Sequence, residues 1–140
     1  MRTLCSNASR VVGLLALLLS AHSVRAEYLQ VELRVYGLDC ELCARGVSES
    51  VKRMPGVKSV DISLKTGLLK IVLAPGNNFK MSDLRKRIRE NGFRPMEAKV
   101  TARGEFSGPR FQVSGSDESY DVAKPYPKSD GPVELTFDVR

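Results

Sequence analysis

LQVELRVYGLDCELCARGVSESVKRMPG, residues 29–56, changes its hydrophobic period once, and that change decides the fold. In its first part Leu29, Val31, Leu33 and Val35 alternate with Gln30, Glu32, Arg34 and Tyr36. Successive side chains of a strand point to opposite faces, so a period of two predicts a half-buried β-strand. Gly37 ends it and opens the loop Gly-Leu-Asp-Cys-Glu-Leu-Cys. From about Cys43 the spacing becomes helical, with Gly46, Val47, Ser50, Val51 and Met54 on one side and Arg45, Glu49, Lys52 and Arg53 on the other. Pro55-Gly56 stops the helix, because proline cannot continue one.

Working outward, Val60, Ile62 and Leu64 alternate again, Lys65-Thr66-Gly67 is a tight-turn signal, and Leu69, Ile71 and Leu73 complete a hairpin. Pro75-Gly76-Asn77-Asn78 is a loop. A second helix is predicted from Ser82 as N-cap, with Asp83 in its first turn and Leu84 and Ile88 inward, ending at Asn91 with Gly92 at the left-handed position. Phe93 to Val100 reads as a last strand. Strand, helix, strand, strand, helix, strand is the α+β, ferredoxin-like βαββαβ arrangement, with two helices covering one face of a four-stranded antiparallel sheet. It occupies residues 27–100. Residues 101–140 form a small β-rich C-terminal extension with short runs at Arg110–Val113, Tyr120–Val122 and Val133–Val139. That is too little chain for a large core of its own, so it is expected to extend the strand beginning near Phe93 or to pack on the sheet.

Residues 1–26 have the layout of a cleaved secretory signal peptide. Arg2 and Arg10 give a positive start, Val11 to Leu19 an apolar run too short to span a bilayer, and Val24-Arg25-Ala26 a small-residue cleavage site after Ala26. The expected location is therefore exported, periplasmic or extracellular, with no stable membrane insertion. Cys5 precedes the apolar run and leaves with the signal. The whole chain carries a net charge of +6, and losing Arg2, Arg10 and Arg25 leaves 19 basic against 16 acidic residues, a net of +3. That balance gives no argument for nucleic acid. His22, the one histidine, also goes, which excludes Ser-His-Asp and Cys-His catalysis from the mature chain. No bond chemistry is implied, and the chain is read as a binding protein, not an enzyme.

Two cysteines remain, Cys40 and Cys43, on a loop running into a helix. Thiolates three residues apart there can point at one ion, and the positive end of the helix favours their deprotonated form. Two soft sulfurs without imidazole suit one Cu(I) or Hg(II) ion, both of which accept linear two-coordination, better than a closed four-ligand zinc site. Over roughly residues 28–100 the chain resembles the heavy-metal-associated (HMA) domain family of copper chaperones, metal-transporting ATPase N-termini and the periplasmic mercury-binding protein. The resemblance rests on Gly37 to Cys43, Gly46-Val47, Pro55-Gly56-Val57 and Gly92-Phe93. The family pattern is Gly-Met-Thr-Cys-x-x-Cys, from which Leu38 and Asp39 depart. Leu38 replaces a methionine that packs in the core. Asp39 resembles the zinc, cadmium and lead pumps of the family, where this aspartate is a third ligand, so the resemblance implies Zn(II), Cd(II) or Pb(II) through Asp39 as alternatives to copper or mercury. It also implies a metal-transporting membrane protein as partner. Two chains could pool four cysteines on one ion, so the sequence leaves monomer or metal-bridged dimer open.

Plainer readings stand beside these. Cys40 and Cys43 suit a redox-active or structural disulfide of an exported protein. Asp39 suits an N-cap. Phe93 suits the core as well as a shield for the site, and Met54, Met81 and Met96 sit at apolar positions expected in the core. The basic run Arg85-Lys86-Arg87 with Arg89 suits a solvated helix face as well as docking of an acidic partner. A third reading is a pure interaction module whose tail offers edge strands to a protein partner.

Overall fold

The computed structural model describes residues 27–123 and 131–140; the expected signal peptide, residues 1–26, lies outside them. The elements are β1 (Glu27–Tyr36), α1 (Glu41–Lys52), β2 (Val57–Ser63), β3 (Leu68–Leu73), α2 (Met81–Glu90), β4 (Arg94–Ser107), β5 (Arg110–Val113), β6 (Ser119–Asp121) and β7 (Val133–Val139). Strands follow the order β2-β3-β1-β4 and all pair antiparallel. With α1 and α2 as the two crossovers, this is the expected βαββαβ core.

Alternation in the strands becomes one buried layer. Val31, Leu33 and Val35 of β1, Leu69, Ile71 and Leu73 of β3, and Ala98, Val100 and Ala102 of β4 share a core with Ala44, Val47 and Val51 of α1 and Met81, Leu84 and Ile88 of α2. Their partners in sequence, such as Arg34, Lys70 and Lys99, are exposed. Burying each large aliphatic side chain removes it from water for roughly 1.5–3 kcal/mol, which is what holds the helices to the sheet.

The last strand is longer than its alternation implied. β4 runs unbroken past residue 100 to Ser107, and its length lets three strands use it. β1 pairs with residues 94–103, while β7 pairs with residues 98–104, so that its Phe137 lies opposite Val100. Beyond the start of β1, β5 takes up the pairing at Gly104–Ser107, and the Glu27 N–H donates to the Ser114 carbonyl where β1 and β5 meet end to end. β6 then pairs with β5 and curls back, so that the Tyr120 ring lies 4.9 Å from Phe137 on β7. Phe111 fills the interior of this curl, 5.1 Å from Phe106 and 5.4 Å from Phe137. Thus the tail both extends the strand begun near Arg94 and packs on the sheet, and Phe111, Val113 and Phe137 join the same core as the helices.

Gly104 permits the close approach of β4 and β5. A Cβ there would stand 2.7 Å from the Phe111 ring and closer still to the Gln112 carbonyl oxygen.

The cap of α2 differs from expectation. The helix begins at Met81, one residue before the predicted N-cap Ser82, and Lys80 at its N-cap makes no side-chain cap bond. Glu118 supplies the cap from the tail. Its carboxylate accepts from the Met81 N–H at 2.9 Å and the Ser82 N–H at 3.0 Å, and also from the buried Tyr28 hydroxyl. Tyr28 and Tyr120 hydroxyls are 2.7 Å apart, and Lys80 pairs with Asp117 at 2.8 Å. Burial works against the Glu118 charge, but the donors from Tyr28, Ser82 and Met81 outweigh it and hold the carboxyl below its ordinary range.

Candidate metal centre

The cysteine loop lies where β1 leaves the sheet. Gly37 turns the chain with φ +86°, a left-handed conformation that glycine adopts without penalty. Leu38 then drops into the core at 2 % exposure and anchors the loop. The anchor leaves Asp39, Cys40, Glu41 and Leu42 exposed and Cys43 half-buried.

Cys40 is the N-cap of α1, with extended φ −115° and ψ 143°; the helix therefore starts at Glu41, ahead of the point near Cys43 where the period became readable. The Cys43 N–H donates to Cys40 Sγ at 3.0 Å, and the Ala44 N–H donates to the Cys40 carbonyl at 2.9 Å. A sulfur thus takes the place of the usual oxygen cap. Partial positive charge at this helix end stabilises negative charge on either sulfur. Cys40 and Cys43 are joined by a disulfide, their Cα atoms 5.1 Å apart. One turn of helix is therefore enough to bring both sulfurs to one point at the surface.

Asp39 is exposed beside Cys40, and the cap it was offered for is made by the Cys40 sulfur. Among the described residues no three His, Cys, Asp or Glu side chains gather into a group able to hold a metal ion. Phe93 is partly buried against the core and borders Gly37, where an added Cβ would stand 3.8 Å from the Phe93 ring. Met54 and Met81 are core residues as expected, but Met96 is not. It is 37 % exposed, because a bulge between the Leu33 and Val35 pairings breaks the alternation of β4 there. Leu64 is likewise exposed, one residue past the end of β2. Together with Tyr36, 69 % exposed, Leu64 and Met96 line a groove of about 500 Å³ on one side of the loop, with Asp39 at its edge. In the basic run, Arg85 is tied to the tail by donating to the Val139 carbonyl at 3.2 Å, and Lys86 pairs with Glu90 at 3.9 Å.

Reading the sequence missed Glu118, Tyr28 and Tyr120. The available signal was a helix with lysine where a capping side chain is expected, but the capping carboxylate lies 36 residues beyond Ser82.

The heavy-metal-associated domain model matches residues 32–94, from within β1 to the start of β4. Among solved structures, the chain is similar to a CopZ metallochaperone, with 24 % identity over 48 % of this chain and 98 % of that one, TM-score 0.45. It is similar to the yeast copper transporter domain CCC2A in its apo and Cu(I)-loaded states, at 25 % identity over 48 % and 90 %, TM-score 0.45. Oxidized MerP from Ralstonia metallidurans CH34 is similar at 22 % identity over 52 % and 96 %, TM-score 0.45. No match was found among curated protein sequences. No helix of the described residues is long and apolar enough to cross a membrane.

Proposed function

Because residues 32–94 match the heavy-metal-associated domain, we propose that this protein is an exported carrier, scavenger or sensor holding one soft metal ion between the Cys40 and Cys43 thiolates. The observation that carries this reading is the placement of both cysteines at one helix N-terminus, at the surface, with their sulfurs meeting. Reduced, the pair offers two soft donors in a positive field, suited to Cu(I) or Hg(II). Asp39, next in the chain and exposed, is the third donor for Zn(II), Cd(II) or Pb(II). Release goes by thiolate exchange, a partner's cysteines replacing Cys40 and Cys43 one at a time through a three-coordinate intermediate. The partner is a metal-transporting membrane protein, and export follows from the signal-peptide layout of residues 1–26.

The test is an anaerobic titration of the reduced protein from residue 27 onward with Cu(I), Hg(II), Zn(II) and Cd(II), each against a chromophoric chelator. One-to-one binding lost in both Cys40→Ala and Cys43→Ala is expected. A weakening of Zn(II) and Cd(II), but not Cu(I), in Asp39→Ala assigns the third donor. Binding no tighter than in the cysteine variants overturns the carrier reading. N-terminal sequencing of protein recovered outside the cytoplasm tests export, and an intact Met1 overturns cleavage after Ala26.

One observation favours a second reading, a dithiol/disulfide protein using the same pair: Cys40 and Cys43 are bonded to each other. A reduction potential far below that of the compartment, with no metal binding, would select it.

A further inference from the structure

A bonded Cys40–Cys43 pair cannot take metal until it is reduced, and the surface beside it is built to attract one kind of reductant. On the side of the loop facing the end of α2, Tyr36, Gly37, Arg89, Gly92, Phe93 and Arg94 line a groove of about 520 Å³. Gly37 lies three residues before Cys40, and its lack of a side chain leaves the face of the groove toward Phe93 clear. The two arginines are uncompensated among the described residues. Glu90 is engaged by Lys86 at 3.9 Å and Glu97 by Arg34 at 3.2 Å, and neither Arg89 nor Arg94 makes an ion pair there. Two forked cations and two aromatic side chains define a site for a compact anion carrying more than one carboxylate. Its volume is in the range that takes a molecule of tripeptide size.

We propose that this groove binds a small, anionic, peptide-sized thiol, which then reduces Cys40–Cys43. This deepens the carrier function and rests on it only in that metal uptake requires the reduced pair. The bound thiolate attacks Sγ of Cys40, the more exposed of the two residues, forming a mixed disulfide while the S–S bond breaks and its electron pair leaves on Cys43. Cys43 is in the first turn of α1, where the helix end stabilises the departing thiolate. A second thiolate attacks the sulfur of the first, releasing the symmetrical small-molecule disulfide and the Cys40 thiolate. Two thiols are oxidised, two protein cysteines are reduced, and the protons lost by the thiols pass to solvent or to the cysteines.

The experiment compares glutathione, an anionic thiol, with 2-mercaptoethanol, a neutral one, as reductants of the oxidised protein. Rates are followed by trapping freed cysteines at low and high salt. In the wild type the glutathione rate is expected to fall as salt screens the arginines. In Arg89→Gln/Arg94→Gln it drops about tenfold at low salt, the low end of electrostatic steering, and loses its salt dependence. The 2-mercaptoethanol rate stays within about twofold, and Arg89→Lys/Arg94→Lys retains most of the glutathione rate. Equal slowing of both thiols, or no change with either, overturns the proposal. Metal titration of the chemically reduced Gln variant keeps the two claims separate. Unaltered binding with a slowed glutathione rate supports the groove, whereas absent binding in the reduced wild type sinks the carrier function and leaves the rates to judge the groove.

Discussion

Replacing Glu118 with alanine should unfasten the start of α2, and the size of the effect can be worked from its contacts. The side chain satisfies two of the helix's free N–H groups, those of Met81 and Ser82, with charge-assisted bonds of 2.9 and 3.0 Å. A lost N-cap costs about 1 kcal/mol. Removing the acceptor from partly buried donors adds about 1–2 kcal/mol, the lower figure because the Tyr28 hydroxyl keeps Tyr120 at 2.7 Å as a partner. The sum is about 2–3 kcal/mol, or roughly a 10 °C fall in Tm for a domain of this size. Urea unfolding with the disulfide intact, followed by circular dichroism, measures it as a lower midpoint at unchanged slope. The pH dependence adds a second signature. The native carboxyl titrates below the ordinary value of 4.5, so in the unfolded chain it binds protons first as pH falls. Its stabilisation is therefore full above that ordinary value and disappears as pH drops through the lower native one. The gap between wild type and Glu118→Ala should be constant at neutral pH and close in acid. A neutral-pH loss below about 0.5 kcal/mol, or a gap that does not narrow in acid, would refute the reasoning.

Three further outcomes follow from the packing. Gly104→Ala must drive its Cβ against the Gln112 carbonyl and the Phe111 ring, so β4–β5 pairing should break at a cost above about 3 kcal/mol, read by thermal unfolding; a loss under about 1 kcal/mol would show that the strands part easily. Burial, with Tyr120 and Glu118 close by, raises the Tyr28 phenol well above its ordinary 10.0; the unfolded chain loses this proton first, so stability should fall above about pH 10, and less steeply in Tyr28→Phe. Phe137→Ala, which empties the space between Phe111 and Tyr120, should cost about 3–5 kcal/mol in urea unfolding, and a smaller loss would mean that β7 is not part of the common core.

The residues that announced the fold were those whose surroundings repeat. Val31, Leu33 and Val35 have one buried and one wet side, and Val47 and Val51 have one buried stripe, so periodicity alone displays them. The cysteine loop was equally legible, because glycine, apolar anchor and paired thiols lie within seven consecutive residues. What stayed hidden depends on neighbours remote in sequence. Ser82 carries the composition of a cap, yet a carboxylate on another segment of the chain outcompetes it. Met96 fits the apolar rhythm of β4, but a bulge set by the pairing with β1 rotates it outward. The end of β4 could not be placed because Thr101, Arg103 and Glu105 look like surface, and only the arrival of β5 and β7 makes the strand continue.

One further property comes from the direction of β1. Its ten residues separate Glu27, where the chain meets Ser114, from Tyr36, which borders the cysteine loop. At about 3.3 Å per residue the strand is a rod of roughly 30 Å. The two ends of the molecule are thus assigned to different tasks, with aromatic packing at one pole and thiols at the other. A tether added by design ahead of Glu27 would start at the pole remote from Cys40 and Cys43. Such an attachment presents the thiols outward, away from the surface to which the chain is fixed.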